Sequence, residues 1–382
     1  MDFLGGLTTI WGFISGYLLP FLFVLTLVVF IHELGHYLVG RWCGVDVETF
    51  SIGFGRELFG WHDRHGTRWR VAAIPLGGYV KFAGDADAAS SPDHGAVAAM
   101  SPEARARSFP AKSVGQRSAI VVAGPVANFI LAIVIFTGSA WLIGKDILVP
   151  RVEQVVAGSA AERAGFLKGD LITAIGDRKI KSFSEMQRVI STRPGERLSV
   201  AVDRDGRAAV LEVTPDLREV SSVLGKQRVG MIGIQASRNA GDWKVETYSF
   251  PEALASGFAE TWFVVERTFD YLGKLIVGKE STDQLSGPIR IAQASGVVAS
   301  VGGIAALISL AAVLSVSIGL INLFPIPMLD GGHLVFYGIE ALRGRPLSEK
   351  AQEMGARFGM ALVLMLMVFV TWNDLVHLRG LL

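Results

Sequence analysis

The sequence predicts a polytopic α-helical membrane protein of about four transmembrane helices, with a membrane-associated β-hairpin and an inserted extracytoplasmic domain. Three observations predict it. Of 382 residues, 51% are hydrophobic and only 19% charged, and the mean hydropathy of +0.43 exceeds that of an ordinary soluble globule. Four stretches are apolar over lengths that cross a bilayer or nearly so. Between the second and third of them the composition turns polar, with short apolar runs separated by turn residues.

The N-terminal membrane core covers residues 1–143. Met1 to Ile10 carries no basic residue, and the apolar stretch behind it outruns a signal peptide, so it reads as a retained anchor. The first span, about 11–39, is apolar except for His32, Glu33 and His36. Residues 45–82 then read as extended. Val45, Val47, Thr49 and Phe50 lead into Ser51-Ile52-Gly53-Phe54-Gly55, and the polar turn His62-Asp63-Arg64-His65-Gly66 separates them from Arg68 to Ile74. That is the pattern of a β-hairpin. Residues 84–112, rich in Ala, Ser, Pro and Asp, read as a cytoplasmic linker with little fixed structure. The second span, about 118–143, has no charged residue.

Residues 148–237 are charged and strand-forming. Gly158-Ser159-Ala160-Ala161-Glu162-Arg163-Ala164-Gly165, followed by Lys168-Gly169-Asp170-Leu171-Ile172, resembles the signature of a PDZ domain. A helix from about Ser184 to Ser191 and a hairpin turning at Asp205-Gly206 fit it. There is one such unit and no repeat. Its candidate ligand groove is Gly230-Met231-Ile232-Gly233-Ile234, as a carboxylate-binding loop in a permuted arrangement.

Residues 245–300 form an amphipathic periplasmic helix and a connector. Leu254, Phe258, Trp262, Val265, Phe269, Leu272 and Ile276 recur at helical spacing, opposite Glu260, Glu266, Arg267 and Lys274. Such a helix either packs against the PDZ unit or lies on the outer leaflet. The C-terminal membrane core, 302–382, carries spans at about 302–324 and 356–374. The last is short, and Arg357 snorkels outward.

Charge sets the orientation. Arg41, Lys112 and Arg117 flank the first two spans, and Arg343, Arg345 and Lys350 lie between the last two. By the positive-inside rule these loops are cytoplasmic, and the N-terminus and the PDZ unit are periplasmic, in a bacterial inner membrane. A formal net charge of +1 leaves no basic surplus for nucleic acid. The single cysteine, Cys43, permits no intrachain disulfide.

His32-Glu33-Leu34-Gly35-His36 is an HExxH pattern. Residues four apart share a helix face, so both imidazoles can reach one zinc ion, and the glutamate lies beside its open position. By itself the pattern fits two satisfied histidines at a helix end. Inside a span, however, each ionisable group costs roughly 2.5–3.5 kcal/mol, which a metal site offsets. Two histidines need a third ligand. Asp330 ends Asn322-Leu323-Phe324-Pro325-Ile326-Pro327-Met328-Leu329-Asp330 at the cytoplasmic end of the third span, at the depth of His32 and His36. His333 is a rival.

HExxH in the first span, an NxxPxPxLDG run late in the third, and a PDZ unit between them resemble the site-2 protease family of zinc intramembrane metalloproteases (M50). The nearest type is that of the regulator of sigma-E protease, RseP. Ala123-Gly124-Pro125-Val126-Ala127-Asn128-Phe129 and Leu285-Ser286-Gly287-Pro288-Ile289 extend the resemblance over nearly the whole chain. It implies one Zn²⁺ held by His32, His36 and Asp330, with Glu33 as general base. It implies substrate contacts from Asn322, Pro325 and Pro327, and from Gly53, Phe54 and Gly55 in a re-entrant hairpin. A strand edge around Gly53 to Gly55 or Ile74 to Tyr79 could pair with an unwound substrate. For Gly53 and Gly55 plain turn geometry is an equal explanation, and Asn128 fits either an interhelical hydrogen bond or a role near the site. Implied partners are the bilayer and single-pass membrane proteins of the anti-sigma-factor type, or remnant signal peptides. A trimmed substrate terminus would be the PDZ ligand, and the enzyme would act as a monomer. RseP-type enzymes carry two PDZ domains where this chain has room for one. The alternatives are a membrane-tethered PDZ scaffold with a structural or degenerate metal site, and a transporter, which the lack of an inverted repeat disfavours.

Overall fold

The computed structural model describes residues 12, 14–86, 94–222, 225–237, 240–282 and 285–379. Met1 to Ile10 and part of the linker 84–112 fall outside them. The chain divides into two compact units. One draws on Met1–Thr137, Leu254–Gly273 and Leu285–Leu382, the other on Gly138–Ala253 and Lys274–Gln284.

In the first unit a π-helical turn, Ile14–Leu18, runs into α1, Leu19–Trp42. Gly44 ends the chain's helical run in the left-handed region, φ +71°. Two strands follow, β1 Val47–His62 and β2 Arg68–Phe82, paired antiparallel. The ribbon folds on itself: Phe50 is partnered by both Val80 and Trp69, and Ile52 by both Gly78 and Val71. Bulges make that fold possible. Gly53 sits at one, with φ +88°, and a Cβ there would stand 2.7 Å from the Ile74 carbonyl oxygen. Phe50 is fully buried and stacks on Trp69 at 4.2 Å, and Val45, Val80, Phe82, Ile120 and Tyr337 complete this core.

The linker is more structured than its composition suggests. It contains α2, His94–Ala99, and α3, Pro102–Ala106, the latter capped by the Ser101 hydroxyl, which accepts from the Ala104 amide. Next is α4, Val114–Leu142, with Pro125 inside it.

The second unit contains β3 Lys145–Leu148, β4 Val152–Val155, α5 Ala160–Arg163, β5 Leu171–Ile175, β6 Arg178–Lys179, α6 Phe183–Ser191, β7 Leu198–Arg204 and β8 Arg207–Val213. The hairpin β9 Asp216–Ser222 and β10 Gly225–Met231 follows, then β11 Ile234–Ala236 and β12 Trp243–Glu246. Four strands form a sheet in the order β6-β5-β7-β8, while β11 pairs with β4 and β12 with β3. Asp205 and Gly206 join β7 to β8, both at positive φ (54° and 83°), as a tight two-residue turn demands. The core comprises Val152, Ile172, Val200, Val202, Val213 and their neighbours. Asp170, fully buried, is held by a bidentate pair with Arg204.

Three long helices remain: α7 Phe250–Ile276, α8 Pro288–Asn322 and, after the short α9 Asp330–Arg343, α10 Glu349–Arg379. Among the described residues, four helices are long and apolar enough to cross a membrane: Ile14–Trp42, Val114–Leu142, Pro288–Asn322 and Lys350–Val376. The third differs from the expected 302–324. Its helical run begins at Pro288, breaks at Gly303 (φ 59°) and ends at Asn322. Hydropathy stops short of this because Arg290 interrupts the pattern, yet Arg290 is buried. The fourth is longer than its apolar stretch of 356–374. Along α7, Ala253 and Thr261 are buried and Val264 and Val265 pack with Ala132, Ala312 and Val316. Small residues bring α4 against α8: a Cβ on Gly319 would stand 3.2 Å from the Pro125 carbonyl and 3.3 Å from Asn128 Cβ.

Candidate metal centre

Helical geometry places His32 and His36 on one face of α1, both buried. Their Nε2 atoms are 3.2 Å apart. The turn Leu323–Leu329 returns the chain so that Asp330 opens α9 against them. Asp330 Oδ2 is 3.2 Å from His32 Nε2, and Oδ1 is 3.5 Å from His36 Nε2. Two observations explain how the turn closes. Met328 adopts φ +83°, and the backbones of Gly331 and Gly332 lie directly on the chain just traversed, where a Cβ on Gly332 would stand 2.6 Å from Pro327 Cα. The two prolines remove donors from this turn and keep it from continuing α8.

The residues present fit a zinc ion. Two imidazoles and a carboxylate are a catalytic donor set that leaves a position open. Their ligand atoms all lie within 4.8 Å of one another. Bonds of roughly 2.0–2.1 Å in a tetrahedron put ligand atoms about 3.3 Å apart, close to the separations here. Asp330 Oδ2 is buried without a hydrogen-bond partner among the described residues, which a cation would relieve. The His36 Nδ1–H donates to the Ile120 carbonyl at 2.8 Å, leaving Nε2 its lone pair.

Glu33 joins His32, His36 and Asp330 in lining a cavity of about 180 Å³. Strand β2 lines it as well, through Gly78, Tyr79 and Val80, and a Cβ on Gly78 would stand 3.3 Å from Glu33 Cγ. Asn322, Met328 and Leu329 line it too, and so does His333, though His333 is not within the cluster of ligand atoms.

The remaining expected residues lie elsewhere. Pro325 and Pro327 shape the turn and do not line the cavity. Neither do Gly53, Phe54 and Gly55; Phe54 instead stacks on Tyr79, ring centroids 6.1 Å apart. Gly230 packs against the Ile190 carbonyl at the end of α6, so strand and helix already meet there. Ile232 is buried and its carbonyl accepts from Ala161, Gly233 turns at φ +81°, Ile234 pairs with Val155, and Met231 is exposed. Sequence reasoning offered the Ile74–Tyr79 edge of β2, of which Gly78 and Tyr79 do line the cavity. It missed Val80 and also Gly124, whose surroundings leave no room for a side chain. A Cβ there would stand 2.6 Å from His36 Cε1 and 2.9 Å from His32 Cε1.

A family model described as "Peptidase family M50" matches residues 20–366. A "putative zinc metalloprotease" of Agrobacterium fabrum is 51% identical over 97% of this chain and 98% of its own length. One of Rhizobium meliloti is 51% identical over 95% and 98%. Metalloprotease MmpA of Caulobacter vibrioides is 43% identical over 94% of this chain and 95% of its own.

Proposed function

Because the chain belongs to peptidase family M50, and with it is a membrane protein and a zinc metalloprotease, we propose that it is a site-2-type intramembrane endopeptidase. It cleaves single-pass membrane proteins, anti-sigma factors or remnant signal peptides among them. One observation carries this reading: the HExxH helix and a carboxylate from a distant turn converge on one point, with Glu33 on the wall of the same cavity.

In this reading His32, His36 and Asp330 hold the zinc. When bound there, the ion supplies Lewis acidity that makes water nucleophilic near neutral pH and polarises the scissile carbonyl. The chain's own residues do the rest. Glu33 accepts the proton of the attacking water and returns it to the departing amine. The backbone of Gly78–Val80 offers a strand edge to a substrate segment that has left its helix, and orients its carbonyl beside Glu33. Asn322, at the end of α8, lines the same cavity and would offer its side-chain amide to the substrate.

The membrane placement follows from charge: an inner-membrane enzyme, active site near the cytoplasmic face, N-terminus and second unit periplasmic. The β1–β2 ribbon carries exposed Leu58, Phe59, Trp61 and Leu76, which suits contact with lipid. The second unit acts as a single PDZ-type filter ahead of the catalyst. With Gly230 already packed on α6, a trimmed substrate terminus would engage only the Met231–Ile234 part of the proposed groove.

The test is Glu33→Gln in the purified full-length protein. Zinc content should hold while cleavage of a model transmembrane segment falls by roughly 10²–10⁴-fold. Cleavage at the wild-type rate would sink the proposal.

A further inference from the structure

Asn128 is fully buried in α4, and its side-chain amide meets His32 Nδ1 at 3.3 Å. Its Oδ1 has no hydrogen-bond partner among the described residues. Its backbone carbonyl is fixed separately, accepting from the Ser315 hydroxyl at 2.9 Å. A buried asparagine with an orphaned acceptor beside an imidazole calls for an explanation.

Chemistry at the other face of the ring supplies one. His32 can give a lone pair to a metal through Nε2 only when its proton sits on Nδ1. The atom facing Nδ1 must then be an acceptor. The oxygen and nitrogen of an asparagine amide are interchangeable in shape, so hydrogen-bond logic decides which faces where. With Oδ1 toward His32 the Nδ1–H gains an acceptor, and the amide nitrogen takes the place the oxygen held; the gain lies in the His32 tautomer. His36 already shows the same arrangement, its Nδ1–H donating to the Ile120 carbonyl. The two histidines are thus held by different devices from the same helix: one by backbone, one by a side chain.

We infer that Asn128 is a positioning residue that fixes the tautomer and ring plane of His32 for metal binding. It touches neither substrate nor the reacting atoms. The inference rests on His32 being a ligand, and predicts that acceptor chemistry at position 128 is what counts. Losing such an outer partner typically costs 10–100-fold in metal affinity.

The experiment compares full-length wild type, Asn128→Asp and Asn128→Leu by competitive zinc titration, with unfolding of the metal-free proteins measured alongside. The leucine keeps the branched outline but accepts nothing; the aspartate keeps an acceptor at the same reach. Zinc binding about 10–100-fold weaker in Asn128→Leu, with Asn128→Asp within about threefold of wild type, is the expected result. Unchanged affinity in Asn128→Leu overturns the inference, and so does an equal loss in both variants, which would mean packing alone matters. Should the leucine variant not fold, Asn128→Ser, too short to reach Nδ1, takes its place: weaker zinc binding supports the inference and unchanged affinity overturns it. A wild-type protein that binds no zinc would sink the metal-site reading itself, whereas zinc-loaded wild type with an indifferent position 128 sinks only this inference.

Discussion

Gly124 and His32, on different transmembrane helices, approach so closely that a methyl group on the glycine would stand 2.9 Å from the imidazole Cε1. It would press on His36 as well, 2.6 Å from Cε1. Neither ring can yield, because His36 is tied to Ile120 and His32 sits against Asn128. Gly124→Ala should therefore weaken zinc binding at least tenfold, the scale set by disturbed ligand orientation, and lower cleavage in parallel. Chelator competition measures the first. Wild-type zinc affinity in the alanine variant would show that the helices can part at no cost.

That contact marks where the sequence stops being readable. The HExxH spacing, the late aspartate and the four apolar stretches are local patterns, and the spacing and the stretches map onto geometry that a helix dictates. Gly124 is different. Its role depends on which helix lies opposite and at what distance, and no periodicity encodes that. The β2 wall is legible only in part. The sequence offers Ile74 to Tyr79 as a strand edge, but the fold of the ribbon that brings Gly78, Tyr79 and Val80 into one cavity with Glu33 rests on distant contacts. Arg290 misleads in the other sense, since an arginine reads as the edge of a span although here it is buried. The linker's short helices escape notice because Ala and Ser are common in helix and loop alike.

Arg117 of α4 pairs with Glu340 of α9 at 2.7 Å, both side chains nearly buried, and its guanidinium lies 4.8 Å over the Tyr337 ring. This clamp holds the helix that begins with Asp330. Removing one partner strands a charge, so Arg117→Met should destabilise by about 2–3 kcal/mol, somewhat less than a fully buried pair. The double variant Arg117→Met/Glu340→Met should recover part of that loss. Denaturant unfolding of all three forms measures the coupling, and a strictly additive result would refute it.

Asp374 of α10 is fully buried and accepts three backbone amides at the start of α8: Gly287 at 2.9 Å, and Ile289 and Arg290 at 3.1 Å. A carboxylate there satisfies orphan donors and opposes the helix dipole. Asp374→Ala leaves those donors bare, at a cost of about 2–3 kcal/mol for charged hydrogen bonds. Amide exchange should accelerate over 287–302, before the break at Gly303, and much less over 304–322. Uniform exchange along α8 would mean that the break does not separate two halves.

Asp63, in the turn between β1 and β2, gathers four donors. Tyr37 Oη donates at 2.8 Å and Trp69 Nε1 at 3.0 Å to one oxygen, and the His65 and Thr67 amides donate to the other. Partial burial pushes the carboxyl up, but these hydrogen bonds outweigh it and bring it down to about 2. An unfolded aspartate titrates near 3.9. A depressed folded value means that the ionised form stabilises the fold, in full above about pH 4–5, and that this is lost as pH falls toward 2. Asp63→Asn should therefore lower the protection of the 64–70 amides at pH 6, with the gap to wild type closing as the pH drops. Protection factors of metal-free protein across that range give the answer. A gap independent of pH would show that the turn is held by shape and not by charge.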